Sequence, residues 1–415
     1  MEVKDGYKQT EVGIIPTEWD VKAFGEIFDF RNGVNADKDS YGQGIRFVNV
    51  LEPITYSHIY GPEITGQVTL PDAVAASYAV RRGDVLFNRT SETQEEVGLA
   101  AAYLGSERVV FGGFVIRGRP TDETFDPIYS GYALRAPAIR SQIIPMGQGA
   151  IRANVGQSNL RLVMAPVPPL PEQHAIAEAL SDVDALLGAL DQLITKKREL
   201  KQAAMQQLLT CQTRLPGFQG DWEMTPLGNV ATFLKGKGVP KSALIPHGSE
   251  PCIHYGELFT RYPETIGEII SRTNGSRDSF RSIANDVLMP TSDVTPRGLA
   301  KASCVTVDGV ILGGDILVIR SDAKRINGSF LSYVIRREED QVLQLVSGTT
   351  VFHLYGSDMK RFNFQMPSVA EQTAIADVLW DMDAELTQLK LRRKKTSALK
   401  QGMLQELLTG KTRLL

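Results

Sequence analysis

The sequence predicts an α+β protein: two mixed α/β domains separated by a pair of long antiparallel helices forming a coiled coil, with pseudo-two-fold symmetry. Three observations predict it. The chain carries a gapless internal repeat, the repeated segments hold an apolar stripe of helical period, and a diverged stretch of about 150 residues, an ordinary domain size, precedes each of them. The expected boundaries are residues 1–167 for the first domain, 168–213 for a central helical spacer, 214–365 for the second domain and 366–415 for a C-terminal helical spacer.

The repeat is the strongest signal. Glu172-Gln173 through Leu215 aligns with Glu371-Gln372 through Leu414 at a constant offset of 199 residues, about half of them identical. Shared positions include Ala175-Ile176-Ala177 with Ala374-Ile375-Ala376, Asp182 and Asp184 with Asp381 and Asp383, and Thr213-Arg214-Leu215 with Thr412-Arg413-Leu414. Outside these segments the halves correspond faintly: Trp19, Gly25, Phe30 and Gly33 answer Trp222, Gly228, Phe233 and Gly236. Asp84-Val85-Leu86 echoes Asp286-Val287-Leu288, Thr90-Ser91 echoes Thr291-Ser292, and Gly112-Gly113 echoes Gly313-Gly314.

Ile176, Leu180, Val183, Leu187, Leu190 and Ile194 fall at alternating steps of four and three, the seam of an amphipathic helix. Ile375, Leu379, Met382, Leu386 and Leu389 repeat that register. Each stripe is expected to resume in a shifted phase beyond a basic cluster, as Leu200, Ala204 and Leu208 and as Leu399, Met403 and Leu407. Prolines precede both helices, at Pro168-Pro169 and Pro367, and Pro216-Gly217 ends the first. A helix of about 40 residues is roughly 60 Å long, too long to bury its stripe on one small domain. The two helices should therefore bury their stripes on each other, and equivalent units packed through one face run antiparallel, which would set the domains at opposite ends.

Composition narrows the classes. No apolar run approaches the roughly 18 residues of a bilayer span, so no membrane partner is expected. The start of the chain lacks a secretory pattern and the three cysteines are widely spaced, which together favour the cytoplasm. A net charge of −3 argues against stand-alone binding of a polyanion.

Pro171-Glu172-Gln173-x-Ala175-Ile176-Ala177 and Ala370-Glu371-Gln372-x-Ala374-Ile375-Ala376 each open a long helix ending in Leu-Leu-Thr. With Gly13-Ile14-Ile15-Pro16-x-x-Trp19 and two variable regions, the whole chain resembles the specificity subunit of a type I restriction-modification system. The second motif departs in carrying Pro367-Ser368-Val369-Ala370 where the first has Pro168-Pro169-Leu170-Pro171. The resemblance implies two target recognition domains, each reading one half of a bipartite, asymmetric target on double-stranded DNA. It further implies that the helix pair sets the spacer and docks two modification (methyltransferase) subunits, with restriction motor subunits joining them. S-adenosylmethionine would then belong to the methyltransferase subunits, and no cofactor to this chain. Two rival readings are a coiled-coil adaptor with two interaction modules that bind no nucleic acid, and a fused enzyme.

A search for chemistry assigns no catalytic residue. Gly410-Lys411-Thr412 lacks the upstream glycine of a phosphate-binding loop, since position 405 is glutamine. The histidines His58, His174, His247, His254 and His353 are scattered and no cysteines pair, so no metal site is expected. His254, between Ile253 and Tyr255, reads as a packed strand residue.

Base edges are read by rigidly held donors and acceptors, and phosphates by cations, hydroxyls and exposed amides. Three places per domain meet this need. The strand Asp84 to Phe87 runs into Asn88, Arg89, Thr90 and Ser91, whose counterpart presents Thr291 and Ser292. Arg31-Asn32-Gly33 matches the basic turn Lys235-Gly236-Lys237. The loop Gly147 to Asn154 offers Gln148, Arg152 and Asn154, and its counterpart from Ser347 offers Thr349, Thr350 and His353. Each is also what an ordinary surface turn requires. The runs Lys196-Lys197-Arg198 and Arg392-Arg393-Lys394-Lys395 read as solvated helix faces or partner contacts.

Overall fold

The computed structural model describes residues 4–149, 151–275 and 278–414. The chain divides into two compact units, Met1–Leu190 with Arg392–Leu415, and Asp191–Leu391. The two long helices span Leu170–Leu208 and Val369–Leu407, equivalent bounds at the offset of the repeat. Pro171 lies in the first turn of the central helix, where a missing N–H costs nothing.

Each unit is built around a five-stranded mixed sheet. In the first its order is Phe28–Asn32, Val115–Pro120, Val85–Asn88, Ala100–Tyr103, His58–Ile59. In the second it is Ala231–Lys235, Ile316–Ser321, Asp286–Pro290, Ser303–Val305, Thr265–Ile266. All neighbours are antiparallel except the last pair of each sheet, which is parallel. The central strand Val85–Asn88 reads as an unbroken apolar run because both its faces are covered. Val85 and Phe87 face a core with Phe28, Phe30 and Ile116, whereas Leu86 faces a second core with Val48, Tyr103 and Phe111 under a smaller sheet. Ahead of it Asp84, 1% exposed, receives two hydrogen bonds from Arg119, Nε at 2.8 Å and Nη2 at 2.7 Å, and Asp286 receives the same pair from Arg320. A buried carboxylate is tolerable only when paired in this way.

Within each unit a stretch of one long helix packs antiparallel on a stretch of the other. In the first, Asp184 pairs with Lys400 at 2.6 Å and Glu172 with Arg413 at 2.5 Å. In the second, Asp383 pairs with Lys201 at 2.7 Å and Glu371 with Arg214 at 2.6 Å. The stripe is buried at Ile176, Leu180, Leu190 and Ile194 and at Ile375, Leu379 and Leu386. Of its expected resumption, Leu208 and Leu407 are buried and Ala204 and Met403 pack on the domain cores, but Leu200 and Leu399 are 46% and 59% exposed. Lys201 and Lys400, one position on, turn inward instead, and their ammonium groups lie over the Tyr333 and Tyr132 rings and meet Asp383 and Asp184. Ion pairs displace leucine because an aspartate already stands on the facing helix.

The Glu-Gln step of the repeat fastens helix to domain. The Glu172 carboxylate, 0% exposed, accepts from Trp19 Nε1 at 2.8 Å as well as from Arg413, and Glu371 accepts from Trp222 Nε1 and Arg214. Gln173 Oε1 accepts from the Asp126 N–H, and Asp126 in turn caps the helix Pro127–Ala133 by accepting from Ile128 and Tyr129 N–H. Gln372 and Asn327 repeat this arrangement ahead of Gly328–Arg337. Among the described residues no helix is long and apolar enough to cross a membrane.

Candidate nucleic-acid interface

The strand Val85–Asn88 leads into Thr90–Ser91, which pairs antiparallel with Ala153–Asn154. Asp286–Pro290 likewise leads into Ser292–Asp293, paired with Phe352–His353. Two of the three places expected from the sequence therefore form one ribbon in each unit. Its loop is closed at the neck by two backbone hydrogen bonds, between Gln148 and Asn154 and between Ser347 and His353. Just inside the neck, Gly149 has φ +131°, and a Cβ there would sit 2.1 Å from the Arg152 carbonyl oxygen, so only glycine fits. Ala150, also within the first loop, lies outside the described residues.

In the first unit Thr90 Oγ1 donates to Asn154 Oδ1 at 2.7 Å, and Asn154 Nδ2 donates to the Arg152 carbonyl at 2.9 Å. Arg152 is exposed and approaches Glu92 at 3.5 Å, an open ion pair that solvent weakens. Thr90, Glu92 and Arg152 line a groove of about 360 Å³ together with Asn49, Val50 and Phe114. Gln148 stands exposed at the neck. Asn88 is fully buried and donates to the Glu96 carbonyl, and Ser91 is nearly so and donates to the Glu96 carboxylate. Contrary to the sequence reading, which offered them to solvent, both brace the loop behind the ribbon. Arg140 braces the same loop through the Glu95 and Val97 carbonyls, and burial pulls its guanidinium down to about 10. Arg89 is half-buried and donates to the Gly113 carbonyl at 3.2 Å.

In the second unit all three expected places meet. A groove of about 990 Å³ is lined by Lys235, Thr291, Ser292 and His353, with Phe233 and Leu317 among its apolar walls. The His353 ring stacks on exposed Tyr355 at 6.0 Å. Lys237, Thr349 and Thr350 are exposed. Arg31 and Asn32 of the first unit part company. Asn32 is exposed at the strand end, while Arg31 lies over the Tyr78 ring at 4.5 Å and donates to the Ser77 carbonyl, on the side of the smaller sheet.

The registers also correct the correspondence between halves. Thr90 faces Asn154 as Ser292 faces His353, and Arg89 N–H bonds Phe114 O as Thr291 N–H bonds Asp315 O. Arg89 is thus equivalent to Thr291 and Thr90 to Ser292, one residue out from the match of Thr90-Ser91 with Thr291-Ser292.

Residues 16–202 and 219–396 each match the model of the type I restriction modification DNA specificity domain. The chain belongs to this family of specificity subunits. A candidate type I restriction enzyme MjaX specificity subunit of Methanocaldococcus jannaschii is 25% identical, over 99% of this chain and 97% of its own. The StySPI specificity subunit of Salmonella potsdam is 22% identical over 88% of this chain and 81% of its own. Among solved structures, the S subunit of a type I restriction-modification system from M. genitalium shares the fold, with TM-score 0.62, 15% identity and 98% of both chains covered. A chain from a study of complex assembly and conformational transition in the type I system aligns with TM-score 0.54 and 16% identity, over 96% of this chain and 99% of that one.

The sequence reading of this specificity subunit missed one element. The strands Tyr41–Val48 and Glu250–Ile253 stop short of Asn49 and His254, which begin a turn. His254 is therefore half-buried in a turn, where the sequence reading had it packed in a strand. The signal was available: Asn49-Val50-Leu51-Glu52 and His254-Tyr255-Gly256-Glu257 both place a glutamate three residues on, the spacing at which a carboxylate reaches back to a backbone N–H.

Proposed function

We propose that this specificity subunit reads a bipartite, asymmetric target on double-stranded DNA, one half with each recognition domain, and itself performs no chemistry. The observation that carries the reading is the ribbon in each unit, which gathers polar side chains from two distant chain segments onto one rigid support. Rigid support is what base reading needs, because each hydrogen bond must meet one edge in one register. The first ribbon offers Arg152, Thr90 and Asn154, and the second offers Ser292 and His353 with Lys235 beside them in the groove, so the two halves of the target would differ. Arg89, beside the first ribbon, is assigned to a base, and Arg31, Asn32, Gln148, Lys237, Thr291, Thr349 and Thr350 to phosphate contact or to holding the readers in place.

The helix pair sets the spacer in this proposal and docks two methyltransferase subunits, with the restriction motor subunits joining the assembly. Apolar side chains exposed on the helix stretches, Leu200 and Trp380 in the second unit and Leu399 in the first, support docking. A net charge of −3 fits a reader whose partners neutralise the phosphates. Adenine has to leave the base stack to be methylated, and that step, with its S-adenosylmethionine, is assigned to the partners.

Equal insertions of seven residues in both long helices, with the target mapped by methylation across a genome, test the proposal. The spacer should widen while both half-sites stay the same. An unaltered spacer removes the ruler, and loss of any half-site preference in the parent complex removes the function.

A further inference from the structure

We propose that Asn49 in the first recognition domain and His254 in the second are base-reading residues, each presented by a turn that a buried glutamate holds. The inference rests on the DNA-reading function and adds to it an element outside the ribbons. The two turns are equivalent: the Gly112 N–H bonds the Val48 carbonyl and the Gly313 N–H bonds the Ile253 carbonyl, fixing the residue just before each turn. Glu52 and Glu257, 4% and 5% exposed, then accept the backbone N–H of Asn49 and His254, both at 2.9 Å. Burying a carboxylate is expensive, and although Glu257 also accepts from Arg261 Nη1 at 3.3 Å and Ser271 Oγ at 2.6 Å, in both turns a buried carboxylate fixes the backbone of the residue that begins it.

What the turns present differs. Asn49 is exposed in the groove that Thr90 and Arg152 line. Its Oδ1 accepts from the Val50 N–H at 2.9 Å, which leaves a second lone pair on oxygen and both hydrogens of Nδ2 without a partner among the described residues. A carboxamide with one acceptor and one donor side by side matches adenine N6 and N7 in the major groove. At His254 the Gly256 N–H donates to Nδ1 at 3.2 Å, so the ring proton sits on Nε2 and the side chain offers a single donor. Gly256 is suited to this, since a Cβ there would stand 3.2 Å from Nδ1. A lone donor matches an acceptor edge, N7 or O6 of guanine. The groove of about 560 Å³ around His254 also holds Lys241, Arg261 and Arg272, cations suited to flanking phosphates.

The test uses the subunit assembled with its methyltransferase subunits and a duplex library randomised across both half-sites, with bound duplexes sequenced. Asn49→Ala should relax preference at one position of one half-site, losing about tenfold in discrimination there, with the other half-site unchanged. His254→Ala should do the same in the other half-site, and His254→Asn should move that position from guanine toward adenine. Unchanged preference at every position, with or without a uniform drop in affinity, overturns the inference while leaving the DNA-reading function standing. A parent complex that selects no sequence overturns that function itself.

Discussion

Replacing Arg413 with alanine isolates the clasp between helix and first domain. The Glu172 carboxylate is 0% exposed and keeps only the Trp19 indole N–H at 2.8 Å once the guanidinium at 2.5 Å is gone. Stranding one member of a buried pair costs about 3–5 kcal/mol. Two structural facts lower that figure: the indole bond survives, and the Arg413 side chain was already 23% exposed, so water enters the vacated space. We expect a loss of about 3 kcal/mol, a fall of roughly 6–12 °C in the midpoint for a unit of this size. The second contact of Arg413, to Glu18 at 2.7 Å, involves a carboxylate 62% exposed, and Glu18→Gln should therefore cost less than about 1 kcal/mol. Urea unfolding followed by circular dichroism supplies the measurement. The decisive variant is the double one: Glu172→Gln removes the stranded charge, so adding it to Arg413→Ala should recover part of the loss. If the double variant is no more stable than Arg413→Ala, or the single change costs less than about 1 kcal/mol, the buried charge is not what the arginine holds.

Two further outcomes are expected. Burial alone would raise the Glu264 carboxyl, but Arg336 and Lys201 outweigh it and hold the group below the ordinary value of 4.5. A depressed carboxylate contributes stability that is present above the ordinary value and lost as pH falls through the folded one, so Glu264→Gln should weaken the second unit at pH 7 and flatten its acid destabilisation. Acid limbs that stay parallel in parent and variant would dismiss this role. At the ribbon, Arg89→Ala should relax one position of the first half-site if the guanidinium leaves the Gly113 carbonyl to meet a base. A uniform fall in affinity with every preference kept would assign Arg89 to phosphate instead.

Much of the scaffold was legible because its constraints are local or periodic. The stripe from Ile176 to Ile194 and its copy from Ile375 to Leu389 declare both helices, and the prolines declare where they start. The continuous apolar run at Val85 to Phe87 declares a strand covered on both faces. What stayed hidden depends on pairing across long stretches of chain. Asn88 looks like any polar residue after a strand, and only the return of Glu96 past it shows that it is enclosed. Leu200 looked like the next turn of the seam, yet the aspartate that draws Lys201 inward lies 182 residues away. The union of ribbon and loop, Thr90 with Asn154, was equally out of reach, since strand partners carry no mark of each other in sequence. His254 was misplaced for a smaller reason: the strand ends one residue earlier than its apolar neighbours imply.

The doubled hydrogen bonds between Gln148 and Asn154, and between Ser347 and His353, have an evolutionary corollary. A loop anchored at both feet is insulated from the sheet beneath it, so its interior residues can be exchanged, shortened or extended as a cassette without refolding the support. New target sequences would then arise by small local edits, and the two cassettes could drift independently while the frame that carries them stays the same.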